Sequence, residues 1–204
     1  MQNLLAGYRR FRQQAWPERR RLFGTLAEHG QSPRAMVIAC ADSRVDPAMV
    51  FDAAPGEIFT VRNIAALVPP YTPDAVHHGT SAALEFAVRV LHVSDLIVLG
   101  HAMCGGVAAL LHGAPLAQAD FINSWVSIAA PARTRALACT TPETAQSVCE
   151  FETIKLSLEN LRGFPWIVAA ERAGSLRLHG ASFDIRSGVL SLLDERGQFQ
   201  PVSP

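Results

Sequence analysis

Apolar residues recur along this chain with two different periods. Between residues 3 and 29 they fall at helical spacing: Leu4, Leu5, Tyr8 and Phe11, then Leu22, Phe23 and Leu26. Pro17 suits the first turn of a second helix, so the stretch predicts two short N-terminal helices. The run AMVIA, 35–39, is short and continuously apolar, the pattern of a buried strand. A second strand, 57–63, follows the turn signal Pro55-Gly56, and a third spans 95–100. Helical patterns cover 79–93, where Ala83, Phe86, Ala87, Val90 and Leu91 share a face, and 104–113, which closes on Gly113. Two more cover 121–138 and 142–162. Residues 166–174 read as a strand ending in a turn at Ala173-Gly174, with further short strands beyond. Strands alternating with helices predict an α/β fold: a mostly parallel central β-sheet flanked by helices, with an N-terminal helical arm. The expected organisation is a single domain over 1–204, with the arm in 1–30 and an α/β core in 31–204.

Composition narrows the function classes. A 204-residue chain that is 49% hydrophobic can bury a substantial core. Eighteen basic residues balance eighteen acidic ones, which argues against a nucleic-acid or polybasic membrane surface. No run approaches the roughly 20 apolar residues of a membrane helix. The basic, aromatic start does not read as a secretory signal. Four cysteines do not make a disulfide scaffold in a chain this long, so a reducing cytoplasm is expected.

The candidate chemistry lies at two strand ends. After AMVIA the chain places a thiol, a carboxylate and a guanidinium on alternate positions: Cys40, Asp42 and Arg44. After the third strand come His101 and Cys104, two residues apart. In an open parallel sheet the carboxyl ends of strands form the ligand crevice, so the two groups can meet. Cys, His, Cys and a carboxylate suit four-coordinate zinc, and three strong ligands with a weak fourth suit a catalytic site.

Two rival readings stand beside it. Cys40 with Arg44 could be a thiolate nucleophile above an anion site, but His101 and Cys104 would then have no task, and glycines that expose backbone amides to phosphate are absent from the loop. A structural zinc site would close all four positions with Cys and His, and would have no use for an Asp-Arg pair.

CADSRV (40–45) and GHAMCGG (100–106) resemble the two zinc motifs of the β-class carbonic anhydrases, in the open-site branch typified by plant enzymes. The resemblance continues through GQSPRAMVIACADSRVDP, PGEIFTVRNIAALVPPY, HHGTSAALEFAV and a late stretch from 157 to 190. It implies a zinc enzyme that interconverts CO2 and water with bicarbonate and a proton, with one Zn2+ per chain on Cys40, His101 and Cys104. Asp42 and Arg44 take the family's catalytic pair, with water in the open fourth position. In a closed form Asp42 itself would bind the metal. The resemblance further implies a homodimer or tetramer in which the N-terminal helices embrace the neighbour.

The same resemblance assigns a substrate pocket to Gln31, Phe59, Ile64, Phe86 and Gly105. Gln31 matches a substrate-facing glutamine, Phe59 and Ile64 match apolar wall positions, and the Gly105 amide could polarise a substrate oxygen. Phe86 stands where the branch often has tyrosine, so any relay through that hydroxyl is lost. Val37 replaces the tryptophan of a regulatory bicarbonate pocket found in another branch, and Arg62 lies in a VRN shared by both, which leaves an open resting site as the expectation. His77 and His78 are candidate proton shuttles. His29, His92, His112 and His179 read as structural, and Cys139 and Cys149 as ordinary thiols. A COS or CS2 hydrolase on the same scaffold, or a non-catalytic zinc-binding subunit, remain as alternatives.

Overall fold

A computed structural model describes residues 1–74, 76–113 and 119–203. Among them the sheet has six strands: β1 (Ala35–Cys40), β2 (Ile58–Asn63), β3 (Asp95–His101), β4 (Arg177–Phe183), β5 (Leu190–Leu193) and β6 (Phe199–Pro201). Their order is β2-β1-β3-β4-β5-β6. The first four run parallel, and β5 and β6 add as an antiparallel edge. Every β1 residue from Met36 to Cys40 is buried, as expected of an inner parallel strand covered on both faces.

The N-terminal arm is α1 (Gln2–Arg10) and α2 (Trp16–His29), joined by one wider turn at Phe11–Ala15. The arm is therefore nearly continuous rather than two separate helices. Pro17 has no N–H for the normal ladder, and Trp16 N–H reaches back to Phe11 O, which accommodates that gap. Short α3 (Pro47–Val50) follows β1, capped by Asp46, whose carboxylate accepts the Ala48 N–H at 3.0 Å. The helix α4 (Gly79–Glu85), with a wider last turn at Phe86–Val90, leads into β3. Then come α5 (Gly105–His112), α6 (Ile122–Ser127), α7 (Ala130–Cys139), α8 (Ala145–Leu161) and α9 (Pro165–Arg172).

Two further expectations need correction. The helical stretch 121–138 is two helices, because Pro131 opens α7 and cannot continue α6. The stretch 166–174 is not a strand. Pro165 starts a helix whose Ile167 is fully buried and whose Trp166 and Ala170 pack beside it on the main core. The apolar, β-branched run mimicked a strand, but Pro165 was a helix-start signal.

Met36, Ile38, Leu96 and Val98 pack against Leu84, Ala87, Ile154, Leu158, Leu161 and Ile167. Each of these side chains larger than alanine contributes about 1.5–3 kcal/mol on full burial. The helix α8 lies so close to the sheet that Gly100 of β3 has no room for a side chain beneath it and Gly180 of β4 has little. A Cβ on Gly100 would sit 2.6 Å from Ile154 Cδ1, and one on Gly180 would sit 3.1 Å from Ile154 Cγ2. This approach brings the start of α8 under the carboxyl end of β3.

Candidate metal centre

Cys40 ends β1 and His101 ends β3, the adjacent parallel strand. Cys104 caps the start of α5 three residues later. All three are buried, and their ligand atoms lie within 4.8 Å of one another. The two sulfurs are 3.9 Å apart. No other such group of His, Cys, Asp or Glu occurs among the described residues.

The donor set fits a soft divalent cation. His101 Nδ1 pairs with the Ala102 carbonyl at 2.9 Å, which assigns the ring proton to Nδ1 and leaves the Nε2 lone pair bare. That Nε2 is buried without any hydrogen-bond partner, a costly arrangement unless something binds there. The Cys104 thiol, with His101 and the Asp42 and Ala65 amides, holds Cys40 down to about 4, while the same Cys40 contact pushes Cys104 up. Two thiols this close are poised to give up protons to a bound cation. Burial opposes charge on His101, but Cys40 and the Ala102 carbonyl raise its pKa on balance.

Asp42 is not part of the three-residue cluster. It is turned to Arg44, which donates from its backbone N to Oδ1 at 3.0 Å, from Nε to Oδ1 at 2.9 Å and from Nη2 to Oδ2 at 2.7 Å. This bidentate pair holds the Asp42 carboxyl well below the usual carboxylate range. Arg44 Nη2 also donates to the Met103 carbonyl at 3.3 Å, which links the first motif to the second.

The residues around the cluster brace it. Arg62 donates to the carbonyls of Cys40 and Asp42 and to the Asp46 carboxylate, so it braces the whole 40–46 turn from β2. Ala65, Ala66 and Met103 adopt left-handed φ of 64°, 54° and 57° around the cluster. Each costs on the order of 1–2 kcal/mol for a non-glycine residue. Gly106 makes the close packing possible, since a Cβ there would lie 2.6 Å from Ile64 Cγ2 and 3.0 Å from Ala65 Cβ. Glu150, buried in α8, accepts the Cys104 N–H at 2.9 Å, and burial pushes its carboxyl up. Nothing in the sequence distinguishes it from the other glutamates of that helix.

The expected pocket residues divide into two groups. Ile64 and Gly105 adjoin the cluster, and Ile64 with Asn63 lines a groove of about 940 Å3 walled by Phe121, Trp125, His77 and His78. His78 Nε2 is already engaged by Asp74 at 2.6 Å. Gln31, Phe59 and Phe86 are elsewhere. Phe59 pairs with Met36 at the start of β1, whereas Asn63 pairs with Cys40 at its end. Four strand residues separate the two levels, about 13 Å along the sheet. The Phe86 ring stacks on Phe59 at 5.8 Å, and Gln31 precedes β1 altogether, so all three stand at the opposite end of the strands.

Comparison with known proteins supplies the context. The profile of the family described as carbonic anhydrase matches residues 35–190. The chain is 38% identical over 199 residues to a carbonic anhydrase of Pseudomonas aeruginosa, covering 95% of this chain and 88% of that one. It is 45% identical over 158 residues to the chloroplastic β carbonic anhydrase 5 of Arabidopsis thaliana, covering 76% of this chain and 52% of that longer protein. Among solved structures, the β-carbonic anhydrase CcaA superposes with a TM-score of 0.92 at 32% identity, over 100% of this chain and 92% of that one. CafA of Aspergillus fumigatus, a β-carbonic anhydrase, gives 0.82 at 31% identity, over 95% and 90%.

Proposed function

We propose, from the premise that this chain belongs to the β-carbonic anhydrase family, that Cys40, His101 and Cys104 hold its zinc and that Asp42, fixed by Arg44, orients the reaction beside it. The activity is the zinc-dependent, reversible hydration of CO2 to bicarbonate and a proton. The observation that carries the residue assignment is the bare, buried Nε2 of His101 facing two thiols 3.9 Å apart.

Zinc held by these residues would lower the pKa of a bound water from 15.7 towards about 7, and so would supply a nucleophile near neutral pH. The protein's own residues do the rest. Asp42, ionised and held by Arg44, offers a carboxylate oxygen that can accept a hydrogen bond and fix the direction of attack. Arg44 also keeps that carboxylate away from the metal, and Arg62 holds the turn that carries both. The Gly105 amide, at the start of α5, can polarise a substrate oxygen. Ile64 gives the cleft an apolar wall suited to CO2. One preparation assayed for CO2 hydration and for COS and CS2 hydrolysis should favour CO2 strongly. Faster turnover of either sulfur compound would redirect the substrate assignment.

Gln31, Phe59 and Phe86 can serve a metal centre only if that centre belongs to a second subunit, given the distance to their own. A dimer also accounts for the arm. No residue of α1 or α2 is buried, and Leu4 and Tyr8 stand exposed at 75% and 59%. Its aromatic cluster of Phe11, Trp16 and Phe23 packs mainly on itself. Residues 1–30 carry six arginines and two glutamates, an excess of four positive charges, so in a balanced chain the remainder carries four negative. A basic, apolar-faced arm therefore matches the more acidic body of another copy. Deleting residues 1–25 should convert the oligomer to monomer at micromolar concentration, lower its melting temperature and lower activity by about tenfold or more. Sedimentation equilibrium and a stopped-flow assay check this, and a stable, fully active monomer would contradict it.

No helix is long and apolar enough to cross a membrane among the described residues. All four cysteines are free, and two are needed as reduced ligands, which supports a reducing compartment such as the cytoplasm.

A further inference from the structure

The helix α8 buries Glu150 to 6% exposure, and no arginine or lysine pairs with it among the described residues. A carboxyl group buried without a cationic partner is costly unless its hydrogen bonds are satisfied. Its Oε1 accepts the Cys104 N–H at 2.9 Å and an amide N–H of Gln146 at 3.1 Å. The Cys104 N–H belongs to the same peptide unit as the Met103 carbonyl, and that carbonyl accepts from Arg44 Nη2 at 3.3 Å. A peptide unit is planar, so fixing the direction of its N–H fixes the direction of its C=O. Met103 adopts φ of 57° here, a strained conformation that persists where the surrounding contacts hold it.

We infer that Glu150 is a positioning residue that sets the Met103–Cys104 peptide, so that Cys104 Sγ faces Cys40 while the Met103 carbonyl anchors Arg44. One buried carboxylate thereby supports both a metal ligand and the residue that restrains Asp42. Gly100 and Gly180 take part indirectly, because they let α8 approach closely enough for Glu150 to reach the turn. The inference rests on Cys104 being a zinc ligand, and the zinc content of the wild-type protein tests that premise separately.

The test is the rate of zinc release from the loaded protein to a chromogenic chelator. Glu150→Ala should release zinc about 10–100-fold faster than wild type. Glu150→Gln keeps a side-chain oxygen that can accept the Cys104 N–H, and should stay within about threefold of wild type. Ser157→Ala, on the same helix, removes the hydroxyl that accepts the Val68 N–H and should lower stability without changing zinc release. If the alanine variant does not fold, Glu150→Asp withdraws the carboxylate by one methylene and should show the faster release instead. Wild-type release from a folded alanine or aspartate variant would overturn the inference. So would a glutamine variant as fast as alanine, since that would assign the effect to charge rather than to the hydrogen bond. A wild-type protein without zinc would instead remove the premise.

Discussion

Arg44→Ala is expected to keep one zinc per chain and to lose CO2 hydration by about 100-fold or more at neutral pH. Arg44 supplies all the contacts that turn Asp42 away from the cluster: two from the guanidinium and one from the backbone. Alanine retains only the backbone contact. Because Arg44 is also what holds the Asp42 carboxyl below the usual range, its loss raises that pKa towards the ordinary value near 4, still ionised at pH 7. The freed group is therefore an anionic carboxylate two residues from Cys40, a competent zinc ligand able to fill the open position. Arg44→Lys should recover part of the activity, since an ammonium can pair with Asp42 but cannot match the two-point geometry. Metal analysis and stopped-flow hydration on the same samples decide the matter. Near wild-type activity would remove the restraining role, and loss of zinc in parallel with activity would assign Arg44 to the metal centre's integrity instead.

Cys104→Ser should lose most of its zinc and at least about 1,000-fold of its activity while keeping its secondary structure. Serine is close to cysteine in size, so the buried site at the start of α5 stays packed. It is not ionised at neutral pH and is a harder donor than thiolate, so one of two anionic ligands disappears. The double variant Cys40→Ala, Cys104→Ala leaves a single imidazole and should hold no zinc after dialysis. Elemental analysis with circular dichroism checks both variants. Full zinc occupancy in the double variant would exclude this site.

What the sequence revealed follows from where local signals exist. The meeting of Cys40, His101 and Cys104, with the Asp42–Arg44 pair beside them, was legible because each motif follows an apolar strand, and parallel strands bring their carboxyl ends together. Glu150 was not legible, because its role comes from α8 lying against β3 and β4, a contact visible only once Gly100 and Gly180 are seen beneath Ile154. Arg62 was read as uninformative about branch, yet from β2 it braces the Cys40–Asp46 turn through three acceptors. For Gln31 and Phe59 the chain order itself places them away from the Cys40 of their own subunit. Residues before or at the start of β1 and β2 cannot share one end of the sheet with Cys40, which terminates β1. The 166–174 segment has the apolar run of a strand, yet Pro165 marks it as a helix start.

The most direct measurement is a zinc titration of chelator-stripped protein, with CO2 hydration followed by stopped flow at each addition. Activity should rise in proportion to zinc and level off at one equivalent per chain, and Cys104→Ser should show no such rise at the same concentrations. Hydration that survives zinc removal, or that returns equally well in Cys104→Ser, would contradict a single zinc held by Cys40, His101 and Cys104.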